Sequence, residues 1–320
     1  MSKPISELHV PVALDRALEV LGAALTEPGA VFVDCTLGLG GHTEAFLTRF
    51  PNIHVVAIDR DPQAIALAGE RLAPFADRID FVNTTYDNID EAIEELGIEK
   101  VDAILLDLGV SSMQLDERER GFAYSYEAPL DMRMDASKGK TAAEVVNSYS
   151  EENLARIFFE YGEERYSKAI AKAIVTARTE QPFVKSTELA ALIAKVVPFI
   201  PGKSSGHPAK RVFQALRIEV NEELDVLKAT MPRAIHALKV GGRILVMSYH
   251  SLEDRIVKQA LVAASTSSAP IDLPIELPEH APQLRLLTKG AEPATAEEIE
   301  RNPRSASVKI RAAEKIRQAA

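Results

Sequence analysis

The sequence predicts an α/β fold, a doubly wound sheet interrupted after its fourth strand by a helical insertion. Three observations predict it. Short apolar runs recur between stretches of helical periodicity. The first run leads straight into a glycine cluster, Gly38-Leu39-Gly40-Gly41, after which helical periodicity resumes. Residues 113–212 then hold no convincing strand, and the α/β pattern returns only after them.

Residues 31–34, 55–59, 79–82 and 101–107 read as the first four strands. Residues 62–72 form the helix after the second, with Pro62 at a favoured first-turn position. Another helix spans residues 88–96 and ends at Gly97. In the insertion, Ser150 opens an amphipathic helix with Leu154, Ile157, Phe158 and Tyr161 on one face. A second carries Ile170, Ala173, Ile174 and Ala177. A third begins near Ser186, buries Leu189, Ile193, Val196 and Val197, and stops at Pro198. Residues 201–208 form a basic, glycine- and serine-rich loop. One long helix is then expected from about residue 208 to 229, striped by Val212, Phe213, Leu216, Val220, Leu224 and Leu227. A helix at 234–238, a turn at Gly241-Gly242 and a strand at 243–249 follow. Residues 264–283 look like a loop, and 284–287 with 308–311 close the sheet as an antiparallel pair. Residues 1–112 and 213–320 therefore make one discontinuous domain around an inserted domain at 113–212.

Apolar residues make up 46% of the chain and charged residues 26%, ample for a globular core. The single cysteine, Cys35, excludes a disulfide framework and fits a reducing compartment. The N-terminal residues lack the apolar stretch of a signal peptide, and no apolar run approaches a membrane span. A soluble cytoplasmic protein without a membrane partner is expected. The net charge of −10 argues against indiscriminate coating of nucleic acid. It conceals an asymmetry. Residues 165–217 hold ten Lys/Arg against two acids, whereas residues 111–164 hold six against twelve. A basic block in an acidic chain suggests a confined contact with a polyanion.

The glycine cluster follows a strand and opens a helix, the context of a nucleotide-binding loop. Asp59, nineteen residues beyond Gly40 at the end of the second strand, is placed to accept the hydroxyls of a ribose. A dinucleotide fingerprint would want a third glycine where Thr43 stands. Gly202-Lys203-Ser204 imitates the end of a phosphate-binding loop, but no strand precedes it. S-adenosylmethionine fits better. It has no pyrophosphate, and Asp34 and Asp107 at strand ends suit its cationic ammonium and sulfonium. His42, His207 and His250 have no second ligand at metal spacing, so no metal is expected.

Longer stretches then carry a resemblance. They include Asp34-Cys35-Thr36-Leu37-Gly38-Leu39-Gly40-Gly41-His42-Thr43, Ala57-Ile58-Asp59-Arg60-Asp61-Pro62 and Leu105-Leu106-Asp107-Leu108-Gly109-Val110-Ser111-Ser112-Met113-Gln114-Leu115-Asp116. Pro129-Leu130-Asp131-Met132-Arg133-Met134-Asp135, Tyr161-Gly162-Glu163-Glu164-Arg165, His207-Pro208-Ala209-Lys210-Arg211 and Ser248-Tyr249-His250-Ser251-Leu252-Glu253-Asp254-Arg255 follow in order. The chain resembles the ribosomal RNA small subunit methyltransferase H family, also called MraW. That resemblance implies a Rossmann-like class I methyltransferase sheet with an inserted helical domain. It implies methylation of N4 of a decoding-region cytidine in 16S rRNA; the low global charge points to an assembled small subunit, not naked RNA, as the substrate. Carried onto matching positions, the cofactor contacts are Gly40, Gly41, His42, Asp59, Tyr86, Asp107 and Gln114. Two departures stand out. Tyr86 replaces a phenylalanine, and residues 302–309 carry one arginine fewer than the family's tail.

Methyl transfer from a sulfonium is an in-line displacement that gains mostly from alignment. Cytosine N4 is a poor nucleophile until an acceptor draws on its proton. The chain lacks the Pro-Pro-aromatic motif of other amino-methyltransferases after Asp107. Asp107 or Ser111 is the candidate acceptor, and Tyr249 or His250 the contact to a flipped base; Phe122 is a further candidate for that contact. Lys203, His207, Lys210 and Arg211 are the candidate RNA contacts. Two rivals are a nicotinamide-dependent oxidoreductase and a non-catalytic ribosome-assembly factor.

Overall fold

In the computed structural model, which describes residues 11–198, 207–269, 277 and 280–318, the four early apolar runs become four parallel strands. They are β1 (Val31–Asp34), β2 (His54–Asp59), β3 (Ile79–Asn83) and β4 (Val101–Asp107). Both faces of these strands are buried, which is why they read as continuous apolar runs rather than alternating ones. Phe32, Val55, Ala57 and Leu105 enter one core; Val33, Val56, Ile58, Ile104 and Leu106 enter the other. The first core is covered by α1 (Leu14–Gly22), which the sequence reading did not anticipate, with α2 (Gly41–Arg49) and α3 (Pro62–Leu72). Asp61 accepts from the Gln63 N–H at 3.1 Å and starts α3 directly before Pro62, a cap worth about 1 kcal/mol. α4 (Ile89–Glu95) packs on the second face.

The chain divides into two compact units, Met1–Gly109 with Leu224–Ala320, and Val110–Glu223. The second unit is helical. It holds α5 (Ser112–Asp116), α6 (Ala142–Ser148), α7 (Glu151–Glu160), α8 (Ser167–Ala177), α9 (Ser186–Val196) and α10 (Ala209–Asn221). Its core joins Leu154, Ile157 and Phe158 to Ile170, Ile174, Leu189 and Ile193, and to Val212, Phe213 and Leu216. Residues 199–206, which include most of the expected basic loop and Lys203, lie outside the described residues.

The single long helix expected from 208 to 229 is two helices. α10 ends at Asn221, and α11 (Glu223–Ala237) begins after Glu222 takes a left-handed φ of 53°. The break has a local cause. The buried Asn221 amide accepts from the Met134 N–H at 2.7 Å and donates to the Met132 carbonyl at 2.8 Å. Arg217 clamps Glu223 across the turn, with nitrogen–oxygen distances of 2.8 and 2.9 Å. Apolar periodicity continues through such a one-residue break, so the stripe alone concealed it. The short helix expected at 234–238 is the end of α11.

β5 (Leu238–Ser248) incorporates Gly241-Gly242, expected as a turn, through a register shift against β4 between Val101 and Ala103. α12 (Ser251–Ala264), β6 (Leu284–Leu286), α13 (Ala296–Arg301) and β7 (Lys309–Lys315) complete the first unit. The described sheet runs β3-β2-β1-β4-β5-β7-β6, with β7 antiparallel to both neighbours. That is the order of a Rossmann-like class I methyltransferase sheet. The strand order reverses between β1 and β4, so the carboxyl ends of β1, β2 and β4 flank the crevice where open α/β sheets take ligands. No described helix is long and apolar enough to cross a membrane.

Candidate active site

Three acids end those strands. Asp34, at the end of β1 and 1% exposed, accepts from the Thr36 N–H at 3.1 Å and from the Thr43 hydroxyl at 2.7 Å. Asp59, at the end of β2, accepts from the Gly38 N–H at 2.8 Å and the Asp61 N–H at 2.9 Å. Asp107, at the end of β4, accepts from the Tyr249 hydroxyl at 2.6 Å. Its own N–H donates to Thr36 Oγ1 at 2.7 Å. His42, in the first turn of α2, lies with Nε2 2.9 Å from the Val12 carbonyl and Nδ1 3.9 Å from Asp107 Oδ2. The carbonyl only accepts, so Nε2 carries a proton and Nδ1 is turned toward the carboxylate.

Burial dominates the electrostatics. It raises the Asp34 carboxyl against the opposing pull of His42 and Thr43. It raises Asp107 against His42 and the Tyr249 hydrogen bond. Asp59 is pushed up to about 6 by burial, against the N–H groups of Asp61 and Gly38. Tyr249 is pushed well up by burial and by the Asp107 carboxylate. A carboxyl raised toward neutral pH is suited to accept a proton in a reaction.

The glycine loop is built for close approach without a phosphate cradle. Gly40 has φ of 76°, and a Cβ there would meet Leu72 at 2.9 Å; one on Gly41 would meet Pro11 at 2.7 Å. The Thr36, Leu37, Gly38 and Gly40 N–H groups are taken by Asp34, Ile58, Asp59 and Leu37. A pyrophosphate needs such groups free. A cofactor whose charge is cationic needs the carboxylates instead, and these are present. Tyr86 stands partly buried just past the end of β3, at the same edge of the sheet.

The remaining candidates divide between the units. Tyr249 and His250 follow β5 in the first unit, and both are organised by a residue the sequence reading overlooked. Glu253, 2% exposed, accepts from the Tyr249 and His250 N–H groups at 2.8 and 3.2 Å. His250 Nδ1 in turn accepts from the Glu253 N–H at 3.4 Å, which closes a capping box at the start of α12. The acid three residues after a cap position was the available signal. Thr36 and Thr43, which hold the two buried acids, were also missed. Ser111 and Gln114 belong to the helical unit. There Ser111 caps α5, and its N–H donates to Gln114 Oε1 at 3.1 Å. His207 stacks on Tyr124 with centroids 4.8 Å apart, and its Nδ1 accepts from the Ala209 N–H at 3.1 Å. Lys210 is exposed, and Arg211 donates to the Glu163 carbonyl at 3.2 Å. Among the described residues no cluster of His, Cys, Asp or Glu is arranged to hold a metal ion.

Residues 6–316 match the model of the MraW methylase family. The chain belongs to this family. Its relatives include proteins named ribosomal RNA small subunit methyltransferase H. The one from Pseudarthrobacter chlorophenolicus is 59% identical, over 98% of this chain and 97% of the relative. The one from Nocardia farcinica is 59% identical over 96% of each. That from Nocardioides sp. is 58% identical over 96% of each. As a member of the MraW methylase family the protein is a methyltransferase, which removes the oxidoreductase reading.

Proposed function

We propose that this protein transfers the methyl group of S-adenosylmethionine to N4 of a decoding-region cytidine in 16S rRNA, within the small ribosomal subunit in the cytoplasm. The observation that carries the reading is the buried Asp34–His42–Asp107–Tyr249 group at the carboxyl ends of β1 and β4, in a member of this family. Asp59 would hold the ribose, and Asp34 and Asp107 would face the cationic end of the cofactor. Tyr86 would lie against the adenine, with Gly40, Gly41 and His42 lining the loop. The cofactor supplies an activated methyl on a sulfonium.

Asp107 is the favoured proton acceptor. Its Oδ1 is held by Tyr249, while Oδ2 accepts no hydrogen bond among the described residues. Ser111 Oγ is engaged by the Gln114 N–H in its own cap. The Asp107 carboxylate would take the proton that N4 loses on gaining the methyl, while the electron pair of the broken S–C bond would leave with the neutral thioether; burial favours the neutral acid that results. Tyr249 keeps the carboxylate oriented. A flipped base would meet the Tyr249 ring or the His250 imidazole.

Incubating the protein with tritium-labelled S-adenosylmethionine and small ribosomal subunits tests the reading. Label is expected in 16S rRNA, released on digestion as N4-methylcytidine. Label in another nucleoside, or in none, would overturn it.

A further inference from the structure

Phe159 has no use within the helical unit. It is 65% exposed, on α7 but off the stripe of Leu154, Ile157, Phe158 and Tyr161 that faces the core. Lone exposed apolar residues are ordinary, so the ring by itself carries nothing. Its surroundings do. The chain passes from α7 to α8 through Tyr161-Gly162-Glu163-Glu164-Arg165. Glu163 there has a left-handed φ of 49°, which costs a residue with a Cβ about 1–2 kcal/mol. At Gly162 a Cβ would stand 2.6 Å from the Arg211 carbonyl oxygen. Gln214 Nε2 donates to the Tyr161 carbonyl at 3.0 Å, and Arg211 to that of Glu163. The start of α10 is thereby fixed against this turn. Lys210 and Arg211 are brought to the end of the unit that carries Phe159, Arg165, Tyr166 and Lys168.

The charges there are one-sided. Arg165, Lys168 and Lys210 are exposed, and their side chains have no ion-pair or hydrogen-bond partner among the described residues. Of the nearby acids, Glu160 is paired with Arg156 at 3.0 Å. Glu164 is buried and accepts from the Tyr166 N–H at 2.9 Å. Glu163 is the remaining exposed one. Tyr166 adds a second ring, 36% exposed. Unpaired cations on the segments that carry exposed aromatic rings match a polyanion that carries flat bases, better than they match an apolar protein face.

We propose that the α7–α8 turn and the start of α10 form a docking surface for single-stranded RNA. Phe159 stacks on a base, while Arg165, Lys168 and Lys210 meet phosphates. This rests on rRNA being the substrate. The test measures binding of the fluorescently labelled full chain to naked 16S rRNA transcript, which holds no ribosomal protein, beside methyl transfer to small subunits. Phe159→Ala is expected to weaken transcript binding at least about fivefold, and to raise KM for subunits with kcat unchanged. Phe159→Trp should bind as wild type and Phe159→Leu should not. Arg165→Glu with Lys168→Glu should lower the slope of log affinity against log salt by roughly 1 to 2. Unchanged transcript binding by Phe159→Ala would overturn the proposal. So would recovery by Phe159→Leu, or a loss on subunits alone, since both would assign the surface to an apolar protein partner. If the transcript binds through these residues while no cytidine is labelled, the proposed reaction fails and the surface stands.

Discussion

Asp107 and Tyr249 share one short hydrogen bond, and the direction of its effect can be tested. The Tyr249 hydroxyl stabilises the charged carboxylate, so it pulls the Asp107 carboxyl down while burial pushes it up. Tyr249→Phe removes the downward pull. The acidic limb of the kcat–pH profile is therefore expected to move to higher pH, whereas Asp107→Asn should lower single-turnover transfer by about 10²–10⁴ at all pH values. An unmoved limb in Tyr249→Phe would separate the tyrosine from the proton acceptor. Asp59 makes a second prediction. Its carboxyl is raised to about 6, and on the proposed function it would bind the ribose hydroxyls in its ionised form, which persists above that value. Affinity for S-adenosylmethionine, measured by calorimetry, should be flat above about pH 7. It should weaken as pH falls through 6, approaching tenfold per unit. Asp59→Asn should bind weakly with no such slope; an equal slope in that variant would place the titration on Asp34 or Asp107, both also raised by burial. The acids themselves were legible in the sequence because they end apolar runs. Glu253, Thr36 and Thr43 were not, because each acts on a residue brought near only by a turn or a neighbouring strand.

At the scale of elements, the sequence reported what depends on local pattern and missed what depends on one residue's backbone. α3 was legible to the residue, since Asp61 and Pro62 mark its start and its stripe stops at Leu72. The early strands were legible because a parallel sheet buries both faces. α1 escaped, although its Ala17, Val20 and Leu21 are buried, because a stripe of nine residues is too short to set its period apart from neighbouring apolar residues. The α10–α11 break escaped because Glu222 adopts a left-handed conformation that no apolar period encodes. This makes a stability prediction. Glu222 is exposed, so Glu222→Gly relieves the left-handed cost of a Cβ and gives back part of it as added unfolded-chain entropy. A net gain of about 0.5–1 kcal/mol is expected in the urea midpoint, with Glu222→Ala giving none. A loss in Glu222→Gly would mean that the glutamate side chain holds the break rather than enduring it.

For the whole molecule, charge decides how the substrate is met. The chain carries −10 in total, yet residues 165–217 are strongly basic. At physiological salt the Debye length is about 8 Å, so acids beyond that distance neither repel nor help a docked phosphate. They matter for a long flexible polyanion that sweeps over the rest of the surface. On the proposed function naked 16S rRNA is such a ligand, and it must also be ordered before its target base can be presented. An assembled subunit presents its RNA already ordered and meets only the face that docks. Methyl transfer should therefore show a higher kcat/KM on small subunits than on the naked transcript, with the advantage residing in KM. Three to four phosphate contacts from Arg165, Lys168, Lys210 and Arg211 would set the salt dependence on subunits at a log–log slope of about −3. A slope near zero would mean that the basic segment does not touch RNA in the productive complex. A naked transcript methylated as efficiently as the particle would mean that the sequence and charge of the RNA suffice and that its prior ordering contributes nothing to recognition.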